Sequence, residues 1–323
     1  MWKGDGVLHA YADGVSRTSE YKPAFENRNL PDESYPDGRL AQMATNELER
    51  AAKSGEPFFM AVGFYKPHLP FCAPLKYWEL YDDEDIKLSP NPEAPEGVDK
   101  LFLHSSSEFF QYTHPEDGRN GKTLTDDYAR DILHAYYAAI TYTDTQVGKV
   151  IAKLKELGLD KNTIIIVWGD HGWHLGDHSL WGKHSTFDRA LNSTFIVKTP
   201  DMNQAGSQSN SLVGAIDIYP TICDLAGIEI PESVDGVSIR PIIEDPKAKV
   251  RDVVMGYWNN RITIRDQRYR LSLYKNKEEQ RIVLFDHKKD PNESINVAEK
   301  SPKIVTELMV KLKELNDGFI PRL

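Results

Sequence analysis

Apolar residues recur along this chain in two alternating textures: stretches at helical spacing closed by a glycine, and short unbroken runs of strand length. Leu40, Met43, Leu48 and Ala51 fall near one face of a helix over 37–54, and Gly55 supplies its stop. The apolar run 58–64 follows and ends in Lys66-Pro67-His68. The same unit then returns. Thr125 caps a second helix with Asp126 and Asp127 in its first turn, where the positive end of the dipole favours them. Leu133, Tyr136, Ile140, Val147, Val150, Ile151 and Leu154 form its apolar stripe, and Gly158 ends it. The β-branched run 164–167 comes next, reads as a strand buried on both faces of a parallel sheet, and stops at Gly169-Asp170-His171-Gly172. Two such units side by side place Lys66, His68, Asp170 and His171 on one rim of one sheet. Open α/β sheets bind their ligands there, outside the carboxyl ends of the strands.

Residues 195–197 read as a third strand stopped by Pro200, and 217–226 as a short helix. Past residue 246 the texture changes to short strands over 253–258, 261–264, 268–274 and 281–285. A closing helix follows, with Ser301 as cap, Pro302 at its first position and Ile304, Leu308, Leu312 and Leu315 on one face. The pattern therefore predicts an α/β domain over 1–245 and a small α+β subdomain over 246–323. Residues 1–36 are polar and rich in turn formers. Residues 81–125 are long, acidic and proline-bearing, as lids and binding loops are.

Composition narrows the partners. The 323 residues are 40% hydrophobic and 27% charged, which is ordinary for a folded protein with ample core. A net charge of −10 without any Lys/Arg block argues against nucleic acid. No run reaches the length of a membrane span, and the opening Met-Trp-Lys-Gly-Asp-Gly lacks a signal-peptide core, so no membrane partner is expected. Cys72 and Cys223 are too few for a disulfide framework or a cysteine-based zinc site, and read as small buried residues.

The chemistry concentrates in 164–184. Asp170-His171 sits among His174, Asp177, His178, Lys183 and His184, and the Asp170 carboxylate suits a hard cation such as calcium or magnesium. The plainer reading of Gly-Asp-His-Gly is a turn with a capping aspartate. Histidines 171, 174, 178 and 184 admit a zinc hydrolase, but their spacing matches no closed zinc pattern. Their plainer role is to bond loop carbonyls. Lys183, after the flexible Gly182, reads either as a point charge for a sulfate or phosphate oxygen or as a solvated lysine. His68, between Pro67 and Pro70, is held stiffly, as a proton donor or anion contact must be, or as a packed rim histidine is. Arg261, Arg265, Arg268 and Arg270 read as the solvated face of a hairpin.

Laid out in order, these stretches resemble a known family. Gly-Asp-His-Gly-Trp-His-Leu-Gly-Asp-His-Ser-Leu-Trp-Gly-Lys-His at 169–184 resembles the second signature region of the sulfatases, in the alkaline phosphatase superfamily. Val-Gly-Phe-Tyr-Lys-Pro-His-Leu-Pro-Phe at 62–71 is similar to the iduronate-2-sulfatase branch, as are the stretches 136–148, 217–221 and 284–293. The resemblance implies an α/β fold with an alkaline-phosphatase-like, mostly parallel sheet sandwiched by helices and truncated at its N-terminus. It implies hydrolysis of the sulfate ester of a sulfated carbohydrate, such as a glycosaminoglycan, in a periplasmic or secreted setting. By the same resemblance Asp170 and His171 ligate Ca2+ as half of a ligand set, Lys66, His68 and Lys183 bind substrate, and His68 and Lys183 act in catalysis.

The family's formylglycine arises from the cysteine of Cys-x-Pro-Ser-Arg, which this chain lacks. Cys72 lies in Phe-Cys-Ala-Pro-Leu, Cys223 in Ile-Cys-Asp-Leu, and Gly14-Val15-Ser16-Arg17 lacks the proline of the serine form. The expectation is a chain inactive by itself, with a separate chain supplying the missing part as one arrangement. A phosphate or phosphonate ester hydrolase and a non-catalytic interaction subunit are the alternatives.

Overall fold

The computed structural model describes residues 11–12, 21–120, 123–200 and 202–316; the stretch 14–17 considered above lies outside them. The described chain divides into two compact units, one within Met1–Pro90 and Ser106–Thr163, the other within Asn91–Ser105 and Ile164–Leu323.

The first unit contains, in chain order, β1 (Phe25–Glu26), α1 (Pro36–Ser54), β2 (Phe71–Cys72), α2 (Leu75–Trp78), α3 (Ser107–Phe110), β3 (Arg119–Asn120), β4 (Thr123–Leu124) and α4 (Asp126–Glu156). Pro36 occupies the first turn of α1, where its missing N–H costs nothing, and Gly55 ends the helix at φ 68°. α1 packs along α4, with Lys153 Nζ of α4 3.2 Å from Glu49 Oε1 of α1. Gly38 is required where α1 passes the turn at Asp32–Ser34: a Cβ there would lie 2.2 Å from the Asp32 carbonyl oxygen. The Tyr142 hydroxyl accepts from Gly38 N at 2.6 Å and donates to Asp32 O at 3.1 Å, tying α4 to the entry of α1. β1 and β2 pair in parallel. The run 58–64, expected as a strand, forms none. No described strand offers it a ladder, and Phe58 and Phe59 are 38% and 79% exposed.

The second unit contains β5 (Ile165–Trp168), β6 (His174–Leu175), β7 (Trp181–Gly182), α5 (Asp188–Leu191), β8 (Phe195–Lys198), α6 (Ile218–Leu225), α7 (Arg240–Glu244), β9 (Val254–Trp258), β10 (Arg261–Arg265), β11 (Tyr269–Lys275), β12 (Gln280–Asp286) and α8 (Pro302–Leu315). β5 departs from expectation. It pairs antiparallel with β8, Val167 opposite Ile196, and Trp168 is 50% exposed. Parallel neighbours need a crossover, usually helical, whereas the one α-helix in the connection between these two strands is the four-residue α5. Among the described residues the sheets are thus small and mostly antiparallel, within an α/β whole.

The C-terminal strands form an antiparallel meander in the order β12-β11-β10-β9. Ile262, Ile264, Leu271, Leu273 and Leu284 pack from one face against Leu308 and Leu312 of α8. On the other face Val283 and Phe285 pack with Phe102, Leu180 and Phe187, so this sheet is covered on both sides. The arginines of the hairpin are therefore not a solvated face. Arg270 is 4% exposed and pairs with Asp188 and Glu293, and Arg261 donates to the carbonyls of Leu101 and Leu103.

Candidate active site

In the first unit the loop 65–70 is built from three anchors. The buried Asp37 carboxylate, on the first turn of α1, accepts from the backbone N–H groups of Tyr65 and Lys66, both at 2.8 Å. Lys66 is 4% exposed, and its Nζ donates to the carbonyls of His68 (2.9 Å) and Pro70. Burial pushes that ammonium down to about 8, against the opposing pull of nearby Cys72 and Asp37. Lys66, expected to face substrate, instead faces inward and ties its own loop together.

What the loop presents is His68. Its backbone N–H donates to Tyr65 O at 3.0 Å. Its Nδ1 lies 2.7 Å from the Leu69 carbonyl and so donates there, which turns Nε2 toward Glu108 Oε1 at 3.1 Å. The imidazole is about a third exposed and fixed at both nitrogens. Glu108 and Asp37 escaped the sequence reading. Asp37 looks like any acidic residue in a first turn, and no local pattern ties Glu108 to the distant proline-flanked loop.

In the second unit Asp170 and His171 leave the carboxyl end of β5. Asp170 Oδ1 accepts from His171 N at 3.0 Å, and its side chain is 75% exposed. His171 Nδ1 lies 2.8 Å from Gly172 O and donates to it, which turns Nε2 toward Asp170 Oδ2 at 3.5 Å. An imidazole nitrogen and a carboxylate oxygen, two common metal-ligand types, face one another there. A cation between them suits the pair, and the carbonyl-anchored Nδ1–H is the usual second bond of a metal-ligating histidine. Among the described residues no third His, Cys, Asp or Glu gathers into a metal-holding group. Calcium takes roughly six to eight oxygens, so this pair fits as two donors of a larger set.

Gly182 and Lys183 follow. Gly182 adopts φ 150°, and a Cβ there would meet His104 Cε1 at 2.8 Å. Lys183 Nζ stands 5.4 Å above the centroid of the Trp173 ring. The zinc alternative does not survive the geometry, because the other histidines are engaged separately. His174 is fully buried with Nε2 2.9 Å from Ser185 Oγ, and burial above all pushes it well below its ordinary pKa. His178 donates to Asn292 O at 2.8 Å. His184 stacks on Trp258 with centroids 4.6 Å apart and planes at 22°. Lys66 and His68 belong to one unit, and Asp170, His171 and Lys183 to the other.

Comparison with known proteins defines the class. Residues 3–228 match the family described as Sulfatase, and residues 176–318 match N-sulphoglucosamine sulphohydrolase, C-terminal. The chain belongs to the sulfatase family. It is 32% identical over 230 residues to iduronate 2-sulfatase of Homo sapiens, covering 63% of this chain and 42% of that protein. In fold it is similar to the phosphonate monoester hydrolase of Agrobacterium radiobacter, with a TM-score of 0.78 at 23% identity, over 97% of this chain and 66% of that one. It is also similar to BT4656, solved in complex with its substrate D-glucosamine-2-N,6-O-disulfate, with a TM-score of 0.73 at 21% identity, over 88% of this chain and 70% of that one. These likenesses define an alkaline-phosphatase-like α/β fold. The chain spans about half the length of the curated relatives it matches. Among the described residues no helix is long and apolar enough to cross a membrane.

Proposed function

We propose that the whole protein hydrolyses the sulfate ester of a sulfated carbohydrate, in a periplasmic or secreted setting. The supporting observation is the pairing of Asp170 Oδ2 with His171 Nε2 at a strand end, in a chain of the sulfatase family. In this reading the two residues are ligands of a divalent cation, Ca2+, whose remaining donors belong to other parts of the whole protein. A cation so bound supplies positive charge against the sulfate oxygens. Lys183 adds a second positive charge on a short tether after Gly182, acting on a sulfate oxygen as a point charge. His68, whose Nε2 is turned out of the loop toward Glu108, is the candidate proton donor to the departing alcohol oxygen. Lys66 and Asp37 fix the loop so that this nitrogen does not wander, which is what proximity catalysis demands.

The nucleophile of this reading, a formylglycine, is not among these residues. Cys72 and Cys223 are both buried and neither lies in the required motif. The 323-residue chain with added calcium is accordingly expected to show no turnover of an aryl sulfate; robust turnover sinks that part of the proposal. In the whole protein, Lys183→Ala is expected to weaken inhibition by inorganic sulfate by about tenfold or more, the worth of one charge-assisted contact. Unchanged inhibition would remove Lys183 from the site. The fold likeness to a phosphonate monoester hydrolase favours a second reading, ester hydrolysis at phosphorus. A whole protein that prefers aryl phosphonates to aryl sulfates would establish it.

A further inference from the structure

The end of the β9–β10 hairpin carries an indole that packing alone does not explain. Trp258 keeps 39% of its surface exposed and Tyr257 beside it keeps 70%, on the edge strand of the meander. Apolar surface of this size at a sheet edge invites aggregation, and edges are normally blunted with charge or proline. Here the indole is instead held still. His184 stacks on it at 4.6 Å, Asn259 turns the chain at φ 51°, and Arg261, opposite Trp258 in the ladder, is pinned by its guanidinium to the carbonyls of Leu101 (2.6 Å) and Leu103 (3.1 Å). The residue stacked on it is the immediate neighbour of Lys183.

We propose that Trp258 is a shelf for the pyranose ring of the sulfated sugar, beside the lysine that takes the sulfate. A pyranose has one face of C–H groups, which lies on an indole, and a rim of hydroxyls, which needs polar neighbours. A held, half-exposed ring stacked on an imidazole whose neighbour in the chain is a lysine meets both needs at little entropic cost. This inference rests on the sulfated-carbohydrate reading given above.

The test measures binding to the whole protein of three probes: a sulfated disaccharide, the same disaccharide without sulfate, and inorganic sulfate. Trp258→Ala is expected to weaken the sulfated disaccharide by about tenfold, the size of one aromatic stacking contact, and to leave inorganic sulfate unchanged. Trp258→Leu, which keeps bulk against His184 without an aromatic face, is expected to do the same and guards against a folding defect in the smaller variant. Equal weakening of both ligands, or of neither, overturns the shelf. Lys183→Ala separates the two ideas, since it should weaken both sulfated probes while Trp258-dependent binding of the unsulfated disaccharide persists. A wild-type protein that binds the unsulfated disaccharide through Trp258 but ignores sulfate keeps the shelf and refutes the sulfatase reading. Binding of no probe refutes both.

Discussion

Lys66 turns its ammonium toward two carbonyls of its own loop, although a lysine following an apolar run reads from sequence as a solvent-facing cation. Losing both donors leaves the carbonyls of His68 and Pro70 without them, a cost of about 2 kcal/mol. Lys66→Met is expected to lower stability to urea by that amount. Asp32 shows the opposite balance. Burial pushes its carboxyl up, but hydrogen bonds from Lys149, Lys76, Gln146 and Tyr77 together outweigh it and hold the group at about 2, below the ordinary 3.8. A depressed carboxyl stabilises the fold fully above the unfolded value and loses that contribution as pH falls through the folded one. Asp32 thus contributes about 2 kcal/mol near neutrality that disappears between pH 4 and pH 2. Asp32→Asn should be less stable than wild type at pH 6, with the difference shrinking across that window; a constant difference would refute the linkage. His68 was legible in the sequence because its flanking prolines advertise a held side chain. Its partner Glu108 was not, because nothing local records a contact between distant segments.

The helices α1, α4, α6 and α8 and the C-terminal strands were legible almost to the residue, because their periodicities and stops are local, whereas the short α2, α3 and α7 were not read at all. The arginines of β10 and β11 were misread for a physical reason. Polar Arg270 and Ser272 alternate with Leu271 and Leu273, as on a sheet with one wet face, yet Phe102, Leu180 and Phe187 cover that face as well. The buried charges are compensated in place. Asp188, first residue of α5, takes Arg265 and Arg270, while Glu293 takes Arg270 at 2.9 Å and His287 at 2.8 Å and accepts from Asp188 N at 2.7 Å. Burial pushes the Asp188 carboxyl up, and the two arginines more than reverse it. Arg270→Met leaves Asp188 short of a partner and Glu293 buried with only His287 and the Asp188 N–H, and is expected to cost about 3–5 kcal/mol in denaturant unfolding. A loss under 1 kcal/mol would mean the network is not cooperative.

β5 and β8 pair only with each other among the described residues, with Trp168 and Ile196 half-exposed. The apolar runs marked both as strands, and the first as buried, because such a run reports how apolar a segment is and is silent on what covers it. Such a ribbon, apolar and joined by no further strand among the described residues, is a template for further pairing. The purified 323-residue chain is expected to self-associate as its concentration rises, and Ile196→Lys to reduce this, as read by light scattering. Identical scattering from both proteins would assign the association elsewhere.

The interleaving of the two units has a consequence for synthesis. Asn91 donates its side-chain amide to Asn292 O and accepts from Ser294, across 201 and 203 positions of chain. At ribosomal rates of about 5–20 residues per second, the 91–105 segment waits roughly ten to forty seconds before those partners are even polymerised. Through that interval a nascent-chain chaperone or a protease meets it first, and slowing translation downstream should lower the yield of soluble protein before it alters anything measurable in the finished one.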